Sequence, residues 1–435
     1  MTGMHVRAAR EPGDEPVIDA ALRRIREELK VEVAAVYLRE PEQPFLRVAG
    51  FCNAAAADAP PAAREYAWGK GLVGGAAERA ETLSASEPDL YSLAAPMLLG
   101  DEVVGTVAIG AGSTRRFTAD EADLLLARAR GLARRLAPAP LDALHAELSR
   151  RVAGPALAWI DTLIAAARRG ERDTVANAFP AVSRRVGREP LGSGSALVLR
   201  DLDAEVPLRA WRLDDAARAA LICAFAEPHG PNDIGLSPAG PSRVEARVDA
   251  EALARELYFG GDLRERAGAL RGLAVVGRSA AALDAVLDAC RVAAVELVEA
   301  AIAENPYSAR ILPDEEFRKV VLKCAFVGVS LDRVIGLETR ADAELSRMLL
   351  SYVSEREVAG RSVPPDIWPV VALHPTPGLA AKLCGYLEHP SETHRAAAAL
   401  ALGRIADRRT RAFLEERLAR ETDRVVRRAL ERVLA

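Results

Sequence analysis

The chain is 435 residues long, more than one hydrophobic core usually supports, so two or three domains are expected. Half of its residues are hydrophobic and 28% are charged, which excludes a disordered chain. Lys+Arg number 58 and Asp+Glu 62, and the net charge of −4 gives no global electrostatic case for nucleic acid or an anionic membrane as partner. The five cysteines, Cys52, Cys223, Cys290, Cys324 and Cys384, are scattered, odd in number and without a CxxC pair. They indicate neither a disulfide framework nor a zinc ribbon and read as reduced, mostly buried thiols. No charged-then-apolar leader opens the chain and no apolar run is long enough to span a bilayer, so a cytoplasmic protein is expected.

From Pro16 to Leu29 apolar residues recur at helical spacing, and VEVAAVYL (31–38) then changes to strand-like alternation. PFLRVAGF (44–51) is a second strand, joined to the first by a proline-containing hairpin turn. GKGLVGGAAERAETL (69–83) is a glycine-led short helix, and SLAAPMLLGDEVVGTVAIG (92–110) is a hairpin around Gly-Asp. Thr118 and Glu121 stand at capping-box spacing before a helix that runs to Leu136. GKGLVGG fits neither a P-loop nor a dinucleotide fingerprint, so its glycines read as turn chemistry that lets the short helix approach the sheet.

This order of elements, with LAAPMLLGDEVVGTVAIG and FTADEADLLLARARGLARRL as its most telling parts, resembles a GAF domain over residues 16–137. The resemblance implies an antiparallel sheet with a small-molecule pocket on one face and helices, often dimerising, on the other. A sensory or dimerisation module, and a homodimer through those helices, are therefore expectations. The Asn-Lys-Phe-Asp-Glu string of the cyclic-nucleotide binders is absent, as is a cysteine placed for a bilin chromophore.

After the prolines of 137–140 the strand signals largely disappear. PALAWIDTLIAAARRG, LDDAARAALICAFAE and AALDAVLDACRVAAVELVEAAIAEN all place apolar residues on helical faces, the last as one long helix. Residues 187–207 read as a loop and 227–241, rich in Gly and Pro, as a mobile excursion. Residues 389–435 repeat a helix-pair theme, with breaks at Asp407 and near Thr422, at a HEAT-like spacing. The fold class expected is thus multidomain: an α/β GAF-like domain followed by an all-α, HEAT-like helical-repeat domain.

ENPYSARILPDEEFRKVVLKCAFVG (304–328) holds several polar groups in apolar surroundings. Asn305-Pro306 must break the preceding helix. Pro313 with Asp314, Glu315 and Glu316 starts another, and Gly328 stops it. Phe317, Val320, Val321, Cys324 and Ala325 form one face and Leu322 and Phe326 nearly the opposite one, as in a helix sandwiched between neighbours. Lys319 has acids within a turn, whereas Lys323 has none four positions before it.

NPYSAR, residues 315–368 and PALAWIDTLIAA resemble the EboA family, over roughly 141–435. The resemblance implies an accessory of bacterial gene clusters that also encode a UbiA-type prenyltransferase, with no catalytic residues to carry over. Asn305, Tyr307, Arg310, Lys323, Arg340 and Glu355 are polar members of the matched segments. Convergent along a helical groove, they would suit an anionic or phosphorylated metabolite.

No GxSxG, HExxH, kinase or Walker string is present. His374, His389 and His394 lack ligand spacing, so no metal and no cofactor is assigned. The C-terminal arginines are interleaved with glutamates, the pattern of a salt-bridged face and not of a nucleic-acid stripe. The expected function is a non-catalytic accessory of a bacterial secondary-metabolite pathway that binds a small anionic metabolite or a pathway enzyme. The alternative is a helical enzyme acting on a phosphorylated or prenyl substrate with Lys323, Arg310 and Tyr307.

Overall fold

The computed structural model describes residues 14–40, 43–53, 64–86, 90–112, 115–227 and 242–434. Two compact units divide between Ala246 and Arg247. The alanine and proline stretch at 54–63 and most of the expected excursion, 228–241, lie outside the described residues.

The first unit begins with α1 (Asp14–Leu29), whose Ile18, Leu22, Ile25 and Leu29 fall on one buried stripe. Strands β1 (Val33–Arg39), β2 (Phe45–Asn53), β3 (Glu65–Ala67), β4 (Leu83–Ser86), β5 (Leu90–Leu99) and β6 (Glu102–Gly112) form one antiparallel sheet in the order β3-β2-β1-β6-β5-β4. Helix α2 (Gly71–Arg79) packs Val73 and Ala77 with Tyr37, Leu46 and Val103 of the sheet. Helix α3 (Ala119–Leu136) joins α1 in the larger core with Val36, Val104, Val107 and Ile109. The sheet is therefore covered on both faces, and β1 is buried from Ala34 to Leu38.

Local chemistry accounts for these elements. Thr118 accepts from the Glu121 amide at 3.2 Å and donates its own amide to the Glu121 carboxylate at 2.9 Å, closing the expected capping box. The glycines of 69–75 are turn and packing chemistry. A Cβ on Gly74 would stand 2.1 Å from the Ala67 carbonyl oxygen, so only glycine lets α2 lie this close to β3.

Helices α4 (Pro140–Ser149), α5 (Gly154–Arg168), α6 (Arg172–Ala178), α7 (Val182–Val186) and α8 (Leu213–Phe225) complete this unit. The stretch read as a loop at 187–207 instead carries a hairpin, β7 (Ala196–Leu199) against β8 (Ala204–Pro207). Its four-residue apolar run, Ala196 to Leu199, is entirely buried, and too short for its strand character to stand out from sequence. The hairpin fastens the helices to the sheet. The Arg200 guanidinium donates to the Arg134, Arg135 and Ala137 carbonyls at the end of α3, and Arg134 pairs with Glu205 at 2.6 Å. The Gly100 and Asp101 amides at the β5–β6 turn donate to Glu205 and to the Gly194 carbonyl. The boundary expected near residue 138 thus separates sheet from helices, while the compact unit runs on to Ala246.

The second unit takes in most of α9 (Arg243–Gly260), then α10 (Leu263–Val276), α11 (Leu283–Arg291), α12 (Val295–Ile302), α13 (Pro306–Ile311) and α14 (Asp314–Val327). It continues with α15 (Leu337–Arg340), α16 (Ala343–Val358), α17 (Ile367–Val371), α18 (Leu379–Tyr386), α19 (Glu392–Ile405), α20 (Arg411–Arg420) and α21 (Arg424–Leu434). Among its described residues no strand forms beyond an isolated bridge between Ala303 and Val334. The long helix expected over 281–305 is broken at residues 292–294 into α11 and α12.

Breaks in the C-terminal helices fall where the sequence places them. Ala406 turns into the left-handed region, Asp407 caps the next turn, and α20 ends at Glu421. Glu421 is buried and joins three elements: it accepts from Arg395 on α19 at 2.8 Å, from Arg417 on α20 at 2.7 Å, and from the amides of Thr422 and Asp423 ahead of α21. Burial alone would raise its carboxyl, but these hydrogen bonds outweigh it and hold the group down at about 2. A carboxylate lowered from 4.5 by folding contributes stability that is complete above that value and is lost as pH falls toward 2. Glu421→Gln should therefore weaken amide-exchange protection of α19 to α21 at neutral pH and flatten its decline between pH 4.5 and 2. An unchanged decline in the variant would place the acid sensitivity elsewhere.

Candidate functional site: a groove between α14 and α16

Helix α14 begins after Pro313 with three acids in its first turn and ends at Gly328, whose φ of +84° is one that glycine adopts without strain. Phe317, Val320, Val321, Cys324 and Ala325 are buried, as their spacing indicates. The opposite face departs from expectation. Leu322 is only half-buried and Phe326 is 69% exposed, so the helix is covered on one side and open on the other.

The open side forms one wall of a groove of about 560 Å³. Tyr352, Glu355 and Arg356 of α16, with Arg361 just beyond it, form the other. The Tyr352 hydroxyl donates to the Ala325 carbonyl at 3.3 Å and accepts from Arg356 at 3.1 Å, which ties the walls together. Four cations, Lys319, Lys323, Arg356 and Arg361, face one carboxylate, Glu355, over an apolar floor of Leu322 and Phe326. Their commitments differ. Lys319 pairs with Glu315 at 2.6 Å and Glu316 at 3.2 Å, and Arg356 also donates to the Ser362 carbonyl. Among the described residues no hydrogen bond or ion pair reaches the exposed side chain of Arg361.

Lys323 answers a local structural need. Its ammonium donates to the Cys290 carbonyl at 2.7 Å and the Val292 carbonyl at 2.6 Å, the acceptors left over where α11 ends. That break has no proline or glycine to announce it, and its stabilising partner lies about thirty residues away in sequence. This is why periodicity alone reads α11 and α12 as one helix.

The six polar residues singled out from sequence fall into two places. Lys323 and Glu355 line the groove. The other four surround α13. Asn305, fully buried, accepts from the Tyr307 and Ser308 amides and donates to the Ala300 carbonyl at 3.0 Å. The Tyr307 hydroxyl accepts from the Ala282 amide at 3.2 Å, and its ring lies so close to Gly277 that a Cβ there would stand 2.2 Å from Cδ2. Arg310 reaches the Gly277 and Arg278 carbonyls. Arg340 donates to the Ala309 and Leu312 carbonyls, each at 2.7 Å, pairs with Asp314 at 2.6 Å and covers the Phe317 ring at 4.3 Å. Sequence reasoning passed over Leu322, Phe326, Tyr352, Arg356 and Arg361. The available signal was the Leu322–Phe326 pair on the wrong side of its own helix.

Reactive groups near the groove are muted. Burial pushes the Cys290 and Cys324 thiols up to about 12, far from the thiolate range, and raises the Tyr307 phenol as well. The histidines lie elsewhere: His394 is buried, accepts from the Trp368 indole at 3.2 Å, and contacts His389, which stacks on Tyr386. Among the described residues no cluster of His, Cys, Asp and Glu forms a metal site, and no helix is long and apolar enough to cross a membrane.

Comparison with known families places all of the groove inside one match. Residues 245–372 match the family described as metabolite traffic protein EboA, residues 15–137 match the GAF domain, and residues 370–435 match HEAT repeats. The chain is a GAF domain fused to an EboA domain. Solved structures similar to the GAF domain include the GAF domain/HD domain protein from Geobacter sulfurreducens, at 18% identity and a TM-score of 0.25, covering 28% of this chain and 90% of that one. The GAF-B domain of DevS from Mycobacterium smegmatis, at 17% identity and a TM-score of 0.25, covers 28% and 90%. The free methionine-R-sulfoxide reductase from Neisseria meningitidis, at 17% and 0.24, covers 31% and 95%. No curated protein matches the chain. The EboA and GAF assignments suggest a non-catalytic accessory or regulatory role.

The carbonyls held by Lys323 supply a test of its structural share. Lys323→Met should lower the unfolding free energy by about 1–3 kcal/mol, the usual consequence of stranding acceptors that are at least partly buried. Lys319→Met, which loses an exposed pair, should cost under about 1 kcal/mol. Urea denaturation of both variants measures the difference, and equal effects would remove the assigned role from Lys323.

Proposed function

We propose that this protein is a non-catalytic accessory of a bacterial secondary-metabolite pathway of the prenyltransferase-associated kind, and that the α14–α16 groove of its EboA domain holds a small anionic metabolite with an apolar portion. The observation that carries the reading is the lining: Leu322 and Phe326 offer an apolar floor, and four cations against one carboxylate surround it. An anion is favoured there, and an apolar tail would cover the exposed Phe326 ring. The EboA family's description as a metabolite traffic protein agrees with a carrier.

Within this reading Arg361 supplies the charge not already committed, Lys323 and Glu355 orient the bound molecule from opposite walls, and Arg356 with Tyr352 ties the walls together. Asn305, Tyr307, Arg310 and Arg340 contribute by holding α13, and through it the start of α14. The GAF domain serves as a regulatory or dimerisation module. A bound molecule is held and passed on rather than transformed, which accords with thiols and a phenol that burial keeps protonated.

Native mass spectrometry of the full chain from its own host, beside Phe326→Asp and Arg361→Glu variants, tests this. Both side chains are exposed, so folding should survive. An acidic small molecule should accompany the natural protein and fall at least about tenfold in occupancy in each variant, a loss of about 1.4 kcal/mol or more. Bare protein, or a molecule kept by both variants, would refute the groove as its site.

A further inference from the structure

A second cavity lies wholly within the first unit, where the β5–β6 hairpin meets α4. Glu102, the first residue of β6, is 4% exposed there. Among the described residues no hydrogen bond reaches either carboxylate oxygen, and the ion-pair partner Arg39 stands 4.0 Å away. A buried carboxylate without hydrogen bonds costs several kcal/mol unless it stays protonated or meets a partner. Burial is the largest influence on it; with Glu147 it raises the group to about 7 against the opposing charges of Arg39, Arg150 and Arg151.

The neighbouring acid is in the opposite condition. Glu147 on α4 accepts from Arg150 at 3.0 Å, Arg151 at 2.5 Å, Ser193 at 3.2 Å and Ser195 at 3.1 Å. It accepts in every one of these contacts and so offers Glu102 no donor. Arg150 spends Nη2 on Glu147 and Nε on the Ala146 carbonyl, while its Nη1 is buried with no hydrogen bond among the described residues. An acceptor and a donor, each buried and unmatched, therefore border one cavity of about 240 Å³. Its remaining walls include Leu99, Val104, Pro138, Ala143 and Ala196.

Size and position narrow the occupant. The volume is below the roughly 300–1,000 Å³ of pockets for drug-sized ligands, so the molecule has few heavy atoms. Leu99 and Val104 belong to the core shared with α1 and α3, so this cavity is distinct from the sheet face under α2. Glu102 calls for a donor, Arg150 for an acceptor, and Glu102 with Asp142, the lining carboxylates other than the arginine-paired Glu147, favour positive charge on the donor.

We propose that this cavity binds a compact primary amine that also bears an acceptor oxygen, a molecule the size of a small amino acid or amino alcohol, with its ammonium on Glu102 and its oxygen on Arg150. The site is independent of the EboA groove, because every lining residue lies between Leu99 and Ala196. Calorimetric titration of the full chain with glycine, alanine, serine and ethanolamine tests it, with Glu102→Gln and Ala143→Leu as variants of confirmed fold. The first removes the charge at constant shape; the second fills the cavity and leaves its polar groups in place. At least one probe should bind once per chain, with affinity lowered tenfold or more in both variants. Absence of binding by all four probes, or binding that survives either substitution, would overturn the proposal. If Glu102→Gln does not fold, Ala143→Leu alone decides.

Discussion

The second unit depends on one requirement: carbonyl groups at the ends of short helices must find donors. An α-helix leaves its last four carbonyls without internal partners, and a series of helices of four to eighteen residues multiplies such ends. Here long cationic side chains from elsewhere in the fold supply the donors. Lys323 serves the end of α11, Arg340 the end of α13, and Arg310 the turn after α10. Arg271 donates to the Ala303 carbonyl after α12 and pairs with Glu304, which Arg333 also holds. Each of these bonds spans about thirty residues of sequence, so each acts as packing glue as well as a cap.

That requirement shapes the groove. Lys323 is directed to the α11 carbonyls and α14 is held by Arg340 at its start, so the buried face of α14 is fixed against the helices behind it. The Leu322–Phe326 side is left toward α16, where the Tyr352 hydroxyl meets the Ala325 carbonyl. Charge at the groove is thus partly a by-product of helix-end chemistry. The same lysine that closes a helix also lends its field to the anion site, which is economical but means the two roles cannot be removed separately.

Much of the fold was legible because its signals are local. The Thr118–Glu121 box, the Gly100–Asp101 hairpin turn, the Pro313 start and the Gly328 stop each lie within a few residues and each forms as read. What escaped is set by distant partners. The β7–β8 hairpin is four residues a side and takes its definition from α3 and the β5–β6 turn, which it clasps. The break between α11 and α12 is defined by Lys323. Of the site, Lys323 and Glu355 could be picked out as polar residues in matched segments; Leu322 and Phe326 stood out as an apolar pair off the main face, but nothing local said whether that pair was covered or exposed.

The clasp on the β5–β6 turn bears on how such a protein can be taken apart. Similarity to GAF domains ends at residue 137, yet the Gly100 and Asp101 amides and the Arg135 and Ala137 carbonyls find their partners between 194 and 205. The stretch matched to a GAF domain is therefore shorter than the compact unit with which it packs. Helices α4 to α8 and the β7–β8 hairpin thus belong structurally with the sheet, and the family match and the compact unit end in different places.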